Sequence, residues 1–84
     1  MDQGRRFVYV IKNMEAQPRY YTGLTSNFSA RLANHNQQNG HHTSKYRPWK
    51  LDALFEFADE DRAIRFERYL KSGSGAAFAK KHLR

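Results

Sequence analysis

The stretch that decides the fold is RFVYVIK, residues 6–12. It is rich in β-branched and aromatic residues, which predicts a β-strand. Because side chains alternate along a strand, its residues divide into two faces, with Phe7, Tyr9 and Ile11 on one and Val8 and Val10 on the other. Both faces are apolar, so we expect a central strand that is covered on both sides.

A hairpin and a helix are predicted to follow this strand. Turn residues fill Asn13 to Pro18, so Arg19 to Gly23 (RYYTG) is interpreted as the second strand of a hairpin. The candidate N-caps of the helix are Thr25, Ser26 and Asn27. The helix is expected to run to about Gln38 and to be broken by Asn39-Gly40.

The second half of the chain predicts one more strand. A polar, basic loop, His41 to Pro48, precedes the alternating segment Trp49 to Phe57 (WKLDALFEF). The alternation would place four apolar residues on one face: Leu51, Ala53, Phe55 and Phe57.

Two helices are predicted to complete the chain. The acidic run Asp59 to Asp61 suits a helix start, and that helix extends to about Lys71. Gly73-Ser74-Gly75 is interpreted as a break, with Ser74 as the cap of a last helix from Ala76 to His82. The order is therefore β-β-α-β-α-α in one domain, residues 1–84.

Composition and charge restrict the function classes. The 84-residue chain has no cysteine, which excludes disulfides and cysteine zinc sites, and no stretch approaches a membrane span. No signal peptide is visible, so a cytoplasmic protein is expected. The formal charge of +7 favours a nucleic-acid partner, although a merely solubilising charge remains the alternative.

Glu67 is the most informative single residue. It falls inside the apolar arc of the second helix, which is formed by Ala63, Ile64, Phe66 and Leu70. A carboxylate that faces a core is costly unless it is paired or bound to a metal ion. The pattern leaves both a partly buried salt bridge and a metal ligand open.

The first helix places further polar residues beside its apolar stripe. Arg31 and His35, four residues apart, flank the stripe of Phe28 and Leu32. An arginine beside a core can clamp a phosphate with two hydrogen bonds, or it can be an ordinary surface residue. Two tyrosines, Tyr9 and Tyr21, lie in the first two strands, where packing is the common role of each alone.

Three short motifs occur in a fixed order along the chain. Phe7-Val8-Tyr9 is followed by Tyr21-Thr22-Gly23. Gly23, Thr25, Asn27, Arg31 and His35 form the run G-x-T-x-N-x-x-x-R-x-x-x-H. The second helix carries A-x-x-x-E-x-x-L-K at Ala63, Glu67, Leu70 and Lys71. In this order and spacing the motifs resemble the GIY-YIG nuclease family, in particular its small single-domain bacterial members, from which the chain departs at Phe7-Val8, in place of Gly-Ile, and at Thr22.

The resemblance implies an α+β fold with a small three-stranded antiparallel sheet flanked by helices. It also implies a metal-dependent endonuclease that hydrolyses phosphodiester bonds in DNA, structure-selective or weakly specific. One divalent ion, Mg²⁺ or Mn²⁺, would be held by Glu67. Tyr9 would be the general base, Arg31 would stabilise the phosphoryl charge, and Tyr21 would orient water or phosphate. His35 would share proton transfer or contact phosphate.

Further residues are candidates for nucleic-acid contact: Lys12, Asn27, Lys45, Arg47 and Lys50. Lys12 could also favour the Tyr9 phenolate, although strand alternation places it on the other face. Basic and aromatic side chains are interleaved in the loop, which suits backbone neutralisation with base stacking; a solvated loop is the alternative. DNA is the expected partner, a protein partner could supply specificity, and no membrane role is expected. The other function considered is a nucleic-acid-binding module with little cleavage activity of its own.

Overall fold

The structure, a computed structural model, describes residues 4–37 and 42–84 apart from the side chains of His42 and Ser44. Its strands are β1 (Phe7–Asn13), β2 (Tyr20–Thr25) and β3 (Trp49–Glu56), and its helices are α1 (Phe28–Asn36), α2 (Glu60–Leu70) and α3 (Gly73–His82). A short 3-10 helix, His42–Tyr46, precedes β3. The predicted order β-β-α-β-α-α and the α+β class are confirmed.

The three strands form one antiparallel sheet in the order β2-β1-β3. The central position of β1 is confirmed, and its apolar residues on both faces explain it. Tyr9 pairs with Gly23 on one side and with Leu54 on the other. Both β2 and β3 are edge strands of the described sheet.

Each face of β1 supports its own hydrophobic cluster. Val8 and Val10 pack with Ala63 and Leu70 of α2, together with Phe78 of α3. Tyr9, Ile11 and Trp49 form the second cluster, against which Phe28 and Leu32 of α1 pack. The sheet therefore separates α1 from α2 and α3, and all three strands contribute residues to both clusters.

A β-bulge in β3 overturns the prediction that Leu51 shares a face with Ala53, Phe55 and Phe57. Val10 pairs with Ala53, whereas the next residue, Ile11, pairs with Leu51, so Asp52 is the extra residue. One inserted residue reverses the alternation from that point on. Leu51 lies instead beside Ile11 at the sheet edge, 43% exposed.

The start of α1 confirms one of the three predicted caps. Asn27 is the N-cap, and its Oδ1 accepts a hydrogen bond from the backbone N–H of Ala30 at 3.2 Å. The helix ends at Asn36 with Gln37 as its C-cap. Gln38 and the predicted break at Asn39-Gly40 lie outside the described residues.

The prediction for the last helix was wrong by one turn. Ser72, rather than Ser74, is the N-cap, and its hydroxyl accepts from the N–H of Gly75 at 3.1 Å. The glycines therefore lie in the first turn of α3 and are not a break. A Cβ on Gly75 would overlap the backbone of Tyr69, so glycine allows α3 to pack closely against the end of α2.

The predicted loop before β3 is partly helical, because His42–Tyr46 form the 3-10 helix. His41 lies outside the described residues. Within the described part of the chain, none of the helices is long and apolar enough to span a membrane.

Candidate active site

Tyr9 is placed by its strand partner. Gly23 lies directly opposite Tyr9 in β2, and a Cβ added to Gly23 would overlap the hydroxyl and ring of Tyr9. The Tyr9 phenol therefore lies across the backbone of the edge strand, in space that any other residue at position 23 would fill. This contact explains why a glycine is required after Thr22.

A buried chain of hydrogen-bonding groups begins at the Tyr9 hydroxyl. The hydroxyl lies 2.9 Å from Nε2 of His35, and Nδ1 of His35 lies 2.6 Å from the hydroxyl of Thr43. All three residues are buried. Both ring nitrogens of His35 are thus engaged inside the protein, which favours proton transfer over contact with phosphate.

Trp49 and Asn36 hold Thr43 in position. The indole N–H of Trp49 donates to the Thr43 carbonyl at 2.9 Å. The backbone N–H of Trp49 donates to Oδ1 of Asn36 at 2.7 Å, and Nδ2 of Asn36 donates back to the Trp49 carbonyl at 3.1 Å. Because Asn36 adjoins His35 in α1, these contacts close a ring from His35 through Thr43 and Trp49 back to α1.

Aromatic rings surround the Tyr9–His35 pair. The ring of Tyr21 lies 4.8 Å from that of His35, and the ring of Phe28 lies 5.6 Å from that of Tyr9. Tyr21 is only partly buried, whereas Tyr9 is fully covered. Tyr21 is therefore the tyrosine that faces solvent, and Tyr9 lies beneath it.

Burial raises the pKa of Tyr9 above the ordinary value of 10.0. The Arg31 guanidinium beside the phenol acts in the opposite direction and lowers that pKa, while Tyr21 and Glu67 raise it. The structure therefore brings Tyr9, Tyr21, His35 and Arg31 into contact, and the charge of Glu67 acts on the same phenol. The Nε atom of Arg31 is buried without a hydrogen-bond partner among the described residues.

Glu67 reaches this site from the other side of the sheet. It lies on α2 between the buried residues Ala63 and Leu70, and its side chain is only 14% exposed, as the apolar arc predicted. Its carboxylate forms an ion pair with the ammonium of Lys71 at 2.5 Å. The two predicted roles of Glu67, salt-bridge partner and metal ligand, are thus compatible. Glu67 forms the salt bridge with Lys71, and its charge also acts on Tyr9.

Glu67 is the carboxylate of the site that could act as a ligand to a divalent metal ion. The described residues contain no cluster of three or more His, Cys, Asp or Glu that could hold a metal. A single carboxylate can hold such an ion weakly when water and substrate oxygens complete its coordination.

The predicted basic contacts divide between two places. Lys12 pairs across the strands with Lys50 on one side and with Tyr20 on the other. Lys12 follows Ile11 in regular alternation, so it lies on the face opposite Tyr9 and cannot favour the Tyr9 phenolate by contact. Lys45 and Arg47 are exposed near the 3-10 helix, with the Lys45 ammonium 5.1 Å from the ring of Tyr46. Asn27 serves as the cap of α1.

A groove of about 350 Å³ runs along β2 beside α3. Its polar and aromatic lining includes Tyr20, Tyr21, Thr22, Lys71 and Arg84. The Arg84 guanidinium stacks on the Tyr20 ring at 3.6 Å, and Lys71 connects the groove to Glu67. The groove therefore joins an edge strand with basic and aromatic groups to the carboxylate of the site.

Sequence reasoning missed Thr43 and Asn36. Thr43 lies in a polar run without periodicity, and Asn36 resembles the other amides at the end of α1, so neither carries a local signal. Their roles depend on how the 3-10 helix packs against α1. Gly23 was identified only as part of a motif, and its contact with Tyr9 follows from the strand register.

Comparison with known families agrees with this arrangement. The model of the GIY-YIG catalytic domain matches residues 5–81. This match spans nearly the entire chain, so the protein belongs to the GIY-YIG family. GIY-YIG domains are nuclease domains, which makes the chain a member of a family of phosphodiester hydrolases that act on nucleic acid. A search of the curated proteins gave no significant match, and neither did a search of the solved structures.

Proposed function

We propose that the protein is a metal-dependent endonuclease that hydrolyses phosphodiester bonds in DNA. The observation that carries this proposal is the buried Tyr9 hydroxyl, which lies 2.9 Å from His35 and is influenced by the charges of Arg31 and Glu67. A tyrosine, a histidine, a guanidinium and a carboxylate grouped in this way are not explained by core packing. They are the groups that activation of water and neutralisation of a phosphate require.

Tyr9 is the proposed general base. Because its pKa is raised by burial, a free phenolate is scarce at neutral pH, so the hydroxyl must pass its own proton to a neighbour as it receives one from water. His35 lies at 2.9 Å for this purpose.

Arg31 is the proposed phosphate ligand. Its guanidinium can only donate hydrogen bonds, and its Nε has no partner among the described residues. A phosphate oxygen is the acceptor that this donor lacks. When the guanidinium turns towards phosphate it stabilises the charge that develops there, an effect worth about 3–4 kcal/mol for one well-placed donor.

Glu67 would hold the metal ion together with water and substrate oxygens. Mg²⁺ at this carboxylate would supply charge stabilisation for the leaving oxygen. Lys71 holds the carboxylate in its absence, through the ion pair at 2.5 Å. Releasing Lys71 frees a cation beside the groove, where it can contact the phosphate backbone.

The proposed DNA surface is small, which predicts weak or structure-selective binding. Lys12 and Lys50 lie side by side at one end of the sheet, and the groove along β2 adds Tyr20 and Arg84. Backbone contacts fix position but carry no sequence information. A protein partner that supplies specificity is consistent with this surface.

The direct test is cleavage of labelled nucleic acids by the purified protein. Duplex, nicked, flapped, branched and single-stranded DNA, and RNA, would each be incubated with Mg²⁺, Mn²⁺ or EDTA. We expect cleavage that requires metal and is lost in Glu67→Gln and Tyr9→Phe. The matched control is Glu56→Gln, which changes an exposed carboxylate of β3 and should cleave like the natural protein.

Two outcomes would overturn the proposal in different ways. Equal cleavage by all four proteins would show that the activity belongs to a contaminant. Absence of cleavage on every substrate, with salt-sensitive DNA binding retained, would replace the endonuclease with a nucleic-acid-binding module.

A further inference from the structure

We infer that Thr43 is a positioning residue: its hydroxyl accepts the Nδ1–H of His35 and so stabilises the tautomer whose Nε2 accepts the proton of Tyr9. This inference deepens the proposed function and rests on it for its catalytic consequence. The tautomer itself follows from the hydrogen-bond geometry and can be measured without any substrate.

The first step concerns the proton of Tyr9. A buried phenol that keeps its proton must donate it to an acceptor, because an unsatisfied buried hydroxyl costs about 1–3 kcal/mol. Arg31 cannot take it, since a guanidinium has donors only. His35 Nε2, which lies 2.9 Å from the hydroxyl, is the group that can accept this proton.

The second step concerns the imidazole ring. If Nε2 accepts from Tyr9, a neutral His35 must carry its proton on Nδ1. Nδ1 then donates to the Thr43 hydroxyl, 2.6 Å away. The hydrogen bond made by one ring nitrogen of a histidine sets the protonation of the other, so Tyr9 makes Nε2 the acceptor and the Thr43 hydroxyl stabilises the proton on Nδ1.

The third step concerns why Thr43 can hold this position. The carbonyl of Thr43 accepts from the Trp49 indole at 2.9 Å, and Trp49 is held by both amide atoms of Asn36. Asn36 follows His35 on the same helix. The hydroxyl is therefore fixed relative to the imidazole by a closed set of contacts and cannot follow the ring if it turns.

The consequence is a balanced transfer during hydrolysis. The Tyr9 O–H bond breaks as the His35 Nε2–H bond forms, and a proton of the attacking water moves to Tyr9. The water oxygen bonds to phosphorus as the bond to the leaving oxygen breaks, and that oxygen takes a proton from solvent. The Nδ1–H of the resulting imidazolium remains bonded to Thr43.

The test combines a spectrum with kinetics. Protein labelled with ¹⁵N-histidine would be examined without nucleic acid at about pH 8, above the ordinary histidine pKa of about 6.5. The chain has four histidines, so His35→Gln identifies the signals of His35 by their loss. We expect the Nδ1–H tautomer in the natural protein and in Thr43→Ser, and a smaller share of it in Thr43→Val, which has a similar shape but no hydroxyl to accept the Nδ1–H.

Cleavage kinetics show whether the tautomer matters for catalysis. Thr43→Val should lower kcat by at least about tenfold with KM unchanged, within the roughly 10²–10⁴-fold that general base catalysis contributes. Thr43→Ser, which keeps the hydroxyl, should retain most of the kcat of the natural protein. A purely structural role of the threonine methyl group predicts that Thr43→Ser loses activity as well.

An Nε2–H tautomer in the natural protein would overturn the inference. A Thr43→Val protein with unchanged tautomer and unchanged kcat would overturn it as well. The Nδ1–H tautomer in a protein that cleaves nothing would instead refute the proposed function while the assignment of Thr43 stands.

Discussion

Replacing Gly23 by alanine should damage stability and catalysis together. The new Cβ would lie 2.8 Å from Cε2 of Tyr9 and closer still to its Cζ and hydroxyl, so the phenol must shift. Overpacking of this kind costs about 1–3 kcal/mol, and about 0.5–1 kcal/mol is recovered because alanine suits a strand better than glycine. The net destabilisation is therefore between about 0 and 2.5 kcal/mol. For a domain of this size it lowers Tm by up to about 20 °C.

A double-mutant cycle isolates the contact. In a Tyr9→Leu background the long ring is absent, so Gly23→Ala should be neutral or stabilising by up to about 1 kcal/mol. Urea unfolding of the four proteins gives the coupling energy, expected at about 1–3 kcal/mol. Single-turnover cleavage should fall about a hundredfold in Gly23→Ala, because the hydroxyl leaves its position 2.9 Å from His35. An alanine variant as stable and active as the natural protein would refute the reasoning.

Three further predictions follow from the charges around the site. Arg31→Lys keeps the charge but loses the planar donor set, so single-turnover cleavage should fall about 10²–10³-fold with DNA affinity little changed; equal losses in both would contradict a transition-state role. Lys12→Gln removes a like-charge pair with Lys50, so urea unfolding should show a gain of about 0.2–1 kcal/mol while the salt slope of DNA binding falls by about one. The raised pKa of Tyr9 means that the unfolded chain ionises first as pH rises above about 10, so stability falls there. Unfolding measured at alkaline pH should show less of this loss in Tyr9→Phe, and equal slopes would rule out a raised pKa.

Much of the fold is readable from short-range pattern. Strand β1 has apolar residues on both faces, and both faces must be covered. This requires a central strand with helices on either side. Caps such as Asn27 and Asp59 are local features, because a short polar side chain bonds the helix N–H groups within three residues. Local pattern predicted Ser74 as the cap of α3, whereas the cap is Ser72. The start of α3 is set by the close packing of Gly75 against the backbone of Tyr69, which is a tertiary contact.

The site is only partly readable in the same way. Glu67 could be found because its helix presents it among apolar neighbours, and its low exposure confirms that placement. Thr43 could not be found, because its hydroxyl has meaning only when the 3-10 helix packs against α1. The bulge at Asp52 likewise leaves no mark in the alternation of WKLDALFEF, yet it moves Leu51 out of the predicted face.

The sequence by itself determined the strand and helix order, the faces of β1 and the identity of the polar residues placed beside apolar stripes. These follow from side-chain periodicity, which is fixed by local backbone geometry. The tertiary structure decided that Tyr9 lies over Gly23 and that His35 lies between Tyr9 and Thr43. It also decided that the charge of Glu67, on the other helix layer, acts on the Tyr9 phenol. Those relations depend on strand register and on the packing of segments far apart in the chain, which no local pattern encodes.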